Sequence, residues 1–584
     1  MPRLLGGRLP PGPPLPAPLQ TLLIWRSPLQ FLERCRRRYG PAFTVRITSH
    51  PPLVFLCDAA DVRALLAAPA EILHPGEGAD TIEPLVGEES FMLHEGEEHL
   101  GGRKIVLPAF HARVVRDHAA MVAGVAAREI ASWPREVPFA LHPRLRALTL
   151  EVVLRTIFGA SECPSDRCLY ALRDRLLAML SVTGSAILPE PLLRHGPGRA
   201  IWTRFLRERA DVDRLIYAII EQGGRLERDP SNLLSRLLEA RNLDGSPMSP
   251  RQVRDNLMSV VVAGHETTAS ELAWAFQLLA HNPVVLERLI EELDSGAGEE
   301  YLTATIQEVL RHRPVFLFAI PRAVKQTIVL GDWTYRPPAQ LLGCIYLLHH
   351  DPALYSEPHE FRPERFLEAP PARSAWLPWG GGRKRCPGLH LATLEMKTVL
   401  RTVLASTTVR PAGRKIEHPR WRSVIVTPHA GSRVVLHARR RAPRLKIDGD
   451  VSLGKGPRGR QYRAMPQISE SGITIELSKA QIKRVVREAA EDDGLLGLLG
   501  GLEELDAHTS SAQLEDERLS RSLLRGLMVL ASFPADGIAR SVTDVAHQLG
   551  LGISTTHRYI STLVEVGVLE RDPESRQYRL ARKG

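Results

Sequence analysis

The chain has 584 residues, 44% of them hydrophobic and 24% charged. This is an ordinary globular balance, which excludes a collagen, a coiled-coil rod and a wholly disordered chain. At ~150 residues per domain it allows about four domains, or one large core with additions. Net charge is +10, and it is local: residues 433–463 hold ten Lys and Arg against Asp448 and Asp450. That stretch reads as a basic connector, either touching nucleic acid or simply solvated.

Residues 10–18 are Pro-rich and predict an extended lead-in. The apolar tract after them is interrupted by prolines and followed by no small-residue cleavage site. No run approaches ~18 apolar residues. Six cysteines (Cys35, Cys57, Cys163, Cys168, Cys344, Cys386) are too few for a disulfide framework. The expectation is a cytoplasmic chain with no membrane anchor. Amphipathic helical patterns then dominate to about residue 440, with short alternating stretches at 42–47 and 423–427 that predict strands.

The segment GEEHLGGRKIVLPAFH carries His99 and Arg103 at i,i+4, on one helix face. Further on, Ser249 can cap a helix and Pro250 suits its first turn. Asn282-Pro283 ends the pattern. The roughly 30 residues between span about 45 Å, enough to cross a domain. This helix is apolar on most sides, yet its middle holds Gly264, His265, Glu266, Thr267 and Thr268. Such a cluster is unfavourable in a buried helix and marks a functional position. Glu308 and Arg311 follow at i,i+3, then the apolar run Pro314–Ile320, Arg322, and the loop FRPERF with Arg365.

The sharpest segment is WLPWGGGRKRCPGLHLATLE. Gly380 to Gly382 let a backbone approach something closely. Arg383, Lys384 and Arg385 precede Cys386, and a helical pattern opens behind it. Cations and a helix N-terminus both favour thiolate. No CxxC or His cluster lies nearby, which argues against structural zinc. Read alone, Cys386 is either an inert turn cysteine or a thiolate ligand.

Trp379 to Gly388 resembles the haem-binding loop of the cytochrome P-450 family, with Trp379 for the commoner Phe and Lys384 for the commoner Arg. The resemblance covers roughly residues 10–440. It implies a mainly α fold, an α-helical prism with small β-sheets. It implies haem b (iron protoporphyrin IX) with Cys386 as the axial iron ligand, and O2 as cosubstrate. Ala263 to Thr268 resembles the family's oxygen-activation motif, which makes Glu266 and Thr267 an acid–alcohol pair relaying protons. His99, Arg103, Arg322 and Lys384 would hold the haem propionates. Glu308, Arg311 and Arg365 would form a buried structural cluster. Val261, Val262, Ala263 and residues 314–320 would line an apolar distal pocket.

The implied reaction is insertion of one oxygen atom into a hydrophobic small-molecule substrate. Neither a flavin-binding nor a Cys-rich iron–sulfur segment is apparent, so a separate ferredoxin and NAD(P)H-dependent ferredoxin reductase would supply electrons. An acidic ferredoxin would dock beside Arg383, Lys384 and Arg385.

Residues 441–515 are a basic linker and helical connector. Residues 516–584 resemble the winged helix-turn-helix of IclR-type regulators: a helix with Leu523, Leu524, Leu527 and Leu530, a second capped by Ser541, a third from Ser554, and a hairpin from Leu569 to Leu580. The resemblance implies a DNA-binding domain, with Ser554, Thr555, Thr556, His557, Arg558 and Ser561 on the major-groove side. Arg571, Arg576 and Arg579 would lie near phosphates. Two alternatives stand beside the enzyme reading: a haem-dependent sensor-regulator of transcription, and two adjacent proteins joined by read-through.

Overall fold

The computed structural model describes residues 9–439, apart from 49, 75–81, 160–165, 185–197, 224–231, 297, 370–373 and 423. In the C-terminal part it describes 529–530, 532–533, 539–549, 553–565, 569–572, 575 and 577–580. The fold divides into two units, Met1–Val451 and Ser452–Gly584. The connector at 441–515 and Leu523, Leu524 and Leu527 lie outside the described residues.

The first unit is built on one helix, Pro250–His281, of 32 residues. Its start is fixed by a capping box. Ser249 Oγ accepts the Gln252 N–H at 3.2 Å, and Gln252 Oε1 accepts the Ser249 N–H at 2.9 Å, which satisfies donors a helix start otherwise leaves open. Asn282 ends it and Pro283 opens the next helix, Pro283–Ser295. The buried residues of this central helix join the largest apolar cluster, with Leu145, Leu148 and Val152 of the His142–Phe158 helix and Val212 and Ile216 of the Arg199–Gly223 helix. Two polar groups near its start are paired across the core. Arg254 meets Asp213 and Asp255, and Asn256 Oδ1 accepts the Phe91 N–H at 3.1 Å.

The predicted strand at 42–47 forms as Ala42–Val45, and that at 423–427 as Ile425–Pro428. The main sheet has five strands in the order Ala42–Val45, Leu53–Leu56, Gln340–Gly343, Arg322–Val324, Leu73–His74. Leu53–Leu56 pairs parallel with Gln340–Gly343, and the other contacts are antiparallel. Leu53 and Phe55 enter one apolar cluster while Val54 and Leu56 enter another. That follows from the period-two side-chain alternation of a strand covered on both faces. Arg322 opens the fourth strand and is thereby carried to the edge of the cavity described below.

The Glu300–His312 helix ends in the expected charged cluster. Arg311 donates to both Glu308 carboxylate oxygens, at 2.7 and 2.8 Å, and to the carbonyls of His349, Pro358 and Glu360. Arg365 Nε reaches Glu308 Oε1 at 3.1 Å, and the Arg362 N–H reaches the same oxygen at 2.8 Å. Glu308 and Arg311 are fully buried. The cluster extends through His349: its Nδ1 donates to the Arg311 carbonyl, and its Nε2 accepts the Leu377 N–H at 2.8 Å. Leu377 leads into the loop that holds Cys386.

In the second unit, Ser541 and Asp544 form a capping box on the Val542–Gln548 helix. The Ile553–Glu565 helix follows, then an antiparallel hairpin of Leu569–Arg571 and Tyr578–Leu580. Val529, Phe533, Val545, Ile560, Leu569 and Tyr578 make its core.

Arg311→Lys keeps one charge but loses the two-pronged contact and the carbonyl contacts, leaving Glu308 buried and under-satisfied. A loss of about 3 kcal/mol or more is expected, seen as a lowered thermal midpoint or loss of soluble protein. A midpoint equal to the parent's would contradict the bridging role.

Candidate active site

The Trp379–Gly388 loop takes its shape from its glycines. Gly380 and Gly382 both have φ +64°, a region costly for other residues. A Cβ on Gly382 would lie 2.4 Å from the Leu66 carbonyl oxygen, and one on Gly381 would lie 2.7 Å from the Leu66 side chain. The loop therefore packs directly on the end of the Ala59–Ala67 helix. The Cys386 N–H closes it on the Trp379 carbonyl at 2.9 Å. The thiol lies just before the Leu389–Ser406 helix. Burial raises its pKa, against the lowering effect of the Gly388 N–H and the Arg103 and Arg385 charges. Arg103 is held by a 2.5 Å bond from Nη2 to the Arg385 carbonyl.

A cavity of about 370 Å³ adjoins the loop, lined by His99, Leu100, Arg322, Gly382, Arg383, Lys384 and Glu95, with Leu66 and its neighbours. His99 sits on the Gly96–Val106 helix, as does Arg103. Its Nδ1 donates to the Phe91 carbonyl at 2.9 Å, while Nε2 is buried with no partner. Burial lowers the pKa of His99, and Lys384 and Arg103 add to that against the Phe91 carbonyl and Glu95. Lys384 departs from expectation. Its Nζ forms a 2.7 Å ion pair with Glu95 and donates to the His94 carbonyl at 3.1 Å. These contacts bind the loop to the start of the Gly96–Val106 helix, so Lys384 acts first as a clamp.

The residues fit the group the loop implies. An anionic porphyrin needs cations at its carboxylates and one soft ligand for iron, and here the Arg103 charge acts on the Cys386 thiol while His99 and Arg322 line the cavity that adjoins its loop. An orphaned buried nitrogen at His99 awaits a partner. Among the described residues no cluster of three or more His, Cys, Asp and Glu could hold a metal ion.

On the central helix, a Cβ at Gly264 would lie 3.0 Å from Val153. Gly264 thus permits close crossing with the His142–Phe158 helix. Thr267 Oγ1 donates to the Ala263 carbonyl at 2.7 Å, and Ala263 is exposed although it sits mid-helix. Glu266 turns the other way. Its carboxylate meets Arg146 at 2.5 Å, Arg422 at 2.8 Å, His142 at 3.3 Å and His265 at 3.5 Å. Burial would raise its pKa, but hydrogen bonds from His142 and His265 and the Arg146 charge outweigh this and hold it well below the carboxylate range. The expected Glu266–Thr267 pair is therefore not formed, because the cations on the neighbouring helix and strand outcompete a neutral hydroxyl.

The expected distal lining also needs correction. Val261 and Leu317 are buried in the core, and Phe318 packs on Phe55 and Trp421. Phe316 and Ile320 are the exposed members of that run. Glu95, His142, Arg146 and Arg422 were not anticipated. His142 and Arg146 stand at i,i+4, the same spacing that drew notice to His99 and Arg103.

In the second unit, His557, Arg558 and Ser561 are exposed on the Ile553–Glu565 helix. Thr556 is fully buried. It shares the inward face with Ile560, one turn later, and does not face outward as expected. The side chains of Ser554 and Thr555, and all of Arg576, lie outside the described residues. Arg579 pairs with Glu570 at 2.7 Å, and Arg571 lies over the Tyr578 ring at 5.7 Å.

No helix among the described residues is long and apolar enough to cross a membrane. Residues 10–434 match the family described as Cytochrome P450, and residues 522–573 match the IclR helix-turn-helix domain. A Mycobacterium tuberculosis protein with the provisional name cytochrome P450 135B1 is 34% identical over 442 residues, 74% of this chain and 92% of that one. Another, provisionally named cytochrome P450 138, is 34% identical over 435 residues, 74% of this chain and 97% of that one. Among solved structures, a retinoic acid-bound cyanobacterial CYP120A1 superposes with TM-score 0.64 at 24% identity, covering 74% of this chain and 99% of that one.

Glu266→Gln leaves Arg146 and Arg422 facing a neutral amide. It should cost about 3 kcal/mol of stability. The carboxylate's low folded pKa contributes stability that is present above its ordinary value of 4.5 and lost as pH falls through the folded value. Thermal midpoints against pH should therefore fall less steeply at acid pH in Glu266→Gln than in the parent. Parallel curves would overturn the cation cage as the source of that pKa.

Proposed function

Because residues 10–434 place the chain in the cytochrome P450 family, we propose that it is a haem-thiolate monooxygenase acting on a hydrophobic small molecule. The observation carrying this reading is the glycine-shaped loop of Cys386, with Arg103 acting on its thiol and with His99 and Arg322 lining one cavity together with Gly382, Arg383 and Lys384 of that loop. Haem b, when bound, supplies the oxygen activation and accepts the electrons. Cys386 would be its iron ligand, with the metal displacing the thiol proton. His99, Arg103 and Arg322 would hold its carboxylates, and Lys384 would keep the loop closed through Glu95.

Thr267 is the hydroxyl nearest the exposed surface of Ala263, and it would hold a water there. Glu266, ionised in its cation cage, would be the proton acceptor one residue away. Arg422 is the more solvent-facing of its two arginine partners, at 23% against 9% for Arg146, so it is the one that would release Glu266 toward Thr267. Ala263, Phe316 and Ile320 would face the substrate. An apolar lining of this kind orients an apolar molecule and excludes water.

Electrons would come from a separate ferredoxin and its NAD(P)H-dependent reductase. Arg383 and Arg385 are exposed beside Cys386 and suit an acidic partner. The IclR match favours a second role: the C-terminal unit, from about residue 516, would bind DNA through His557, Arg558 and Ser561, with 441–515 as connector. In a sensor-regulator version, haem ligation would change DNA affinity. The compartment we propose is the cytoplasm.

The dithionite-reduced, carbon monoxide-treated protein should show the red-shifted Soret band of a sulfur-ligated haem, and Cys386→Ser should lose it; a parent without that band ends the enzyme reading. Charge reversal at Arg383 and Arg385 should slow reduction by an acidic ferredoxin and flatten its salt dependence. An unchanged dependence would move the docking face elsewhere. Turnover of an apolar substrate without ligand-dependent DNA binding would reject the sensor version.

A further inference from the structure

The Phe91 carbonyl decides where His99 carries its proton. A carbonyl oxygen only accepts, so the 2.9 Å contact places hydrogen on Nδ1. In the neutral ring Nε2 is then a bare acceptor. It is buried and unpartnered, on a ring that lines the cavity with Arg322 and Lys384. The Lys384 ammonium lies 3.3 Å from Nδ1, on the wrong side to satisfy it. A bare acceptor beside the place for a carboxylate is a mismatch, because a carboxylate is also only an acceptor.

We infer that His99 holds a cofactor carboxylate only as an imidazolium, so that haem uptake brings about one proton onto His99 Nε2. This rests on reading the cavity as the haem site. The groups facing the ring are the Phe91 carbonyl, Glu95, Lys384 and Arg103. Without a carboxylate at Nε2, burial, Lys384 and Arg103 favour the neutral ring, and Glu95 is already committed to Lys384. A propionate within hydrogen-bonding distance of Nε2 supplies the missing counter-charge, and the solvent proton it draws in makes the one new N–H bond. The sign follows. The pKa of His99 is raised in the loaded state, so the linked gain in haem affinity is full at low pH and is lost as pH rises through the loaded-state value. Within that window the His99 contribution falls up to about tenfold per pH unit, against the rise that release of the Cys386 thiol proton gives.

Two measurements on the full chain test this. Between about pH 6 and 8, haem transfer from the loaded protein to excess apomyoglobin should slow with rising pH in His99→Gln, where only loss of the Cys386 thiol proton acts, and should be flatter in the parent and in Lys384→Met, where uptake at His99 offsets it. Calorimetric titration of haem into haem-depleted full-length protein, in phosphate and in Tris, should show the parent taking up about one proton more than His99→Gln. The contribution of Cys386 is common to both and cancels. If His99→Gln does not fold, the parent alone decides: free haem should take up about one proton more than haem dimethyl ester, whose carboxylates are capped. Equal proton counts, or equal pH slopes, overturn the inference. Failure of the haem reading shows separately, as the absence of a sulfur-ligated carbon monoxide spectrum in the parent.

Discussion

The carboxylate of Glu308 is the point from which the haem side of the first unit is held. It is sealed from water, and it is tolerable there because two guanidiniums and a backbone N–H surround it. Arg311 spends its remaining donors on three carbonyls of the 349–360 region, and His349 carries the connection on to Leu377. His349 must stay neutral for this, since it donates from one nitrogen and accepts at the other. Burial, reinforced by the Arg311 charge, pushes its pKa down to about 3. The loop that carries Cys386 is thereby fixed at its entry by a network whose buried charges are paired.

The central helix does the complementary work. It is long because both its ends are specified, by a capping box and by Asn282-Pro283, and it is buried because its neighbours cover nearly all of it. The polar residues at its middle divide into two functions. Gly264 and His265 serve the helix crossing, through Val153 and through Thr149, whose hydroxyl reaches the His265 carbonyl at 2.9 Å. Thr267 stays toward the exposed surface of Ala263. Glu266 is held between them in a cage of cations, a stored negative charge close to the cleft.

Much of this was legible in the sequence. The central helix announced its length through Ser249 and Pro283, and the glycine run before Cys386 announced a tight loop. The IclR-like hairpin and the Ser541 cap also stood where the residues pointed. Long-range partners were not legible. Nothing near Glu266 names Arg146, 120 residues upstream, or Arg422 on a later strand. Lys384 read as a propionate contact because its protein partner, Glu95, lies in another segment. The apolar run 314–320 hid its alternation: it has no helical or strand period, so only the fold shows that Leu317 and Phe318 turn inward while Phe316 and Ile320 do not. Thr556 was misplaced by a helix phase that only the packing of Ile560 fixes.

The close approach at Gly264 has a consequence for how this chain can evolve. The Val153 side chain packs where a Cβ on residue 264 would lie, so a larger residue there would push the two helices apart. If Ala263, Phe316 and Ile320 face the substrate as proposed, diversification falls to those positions, whose side chains can change size without moving backbone. A laboratory selection for new guests should accumulate its substitutions at those positions and leave 264 untouched.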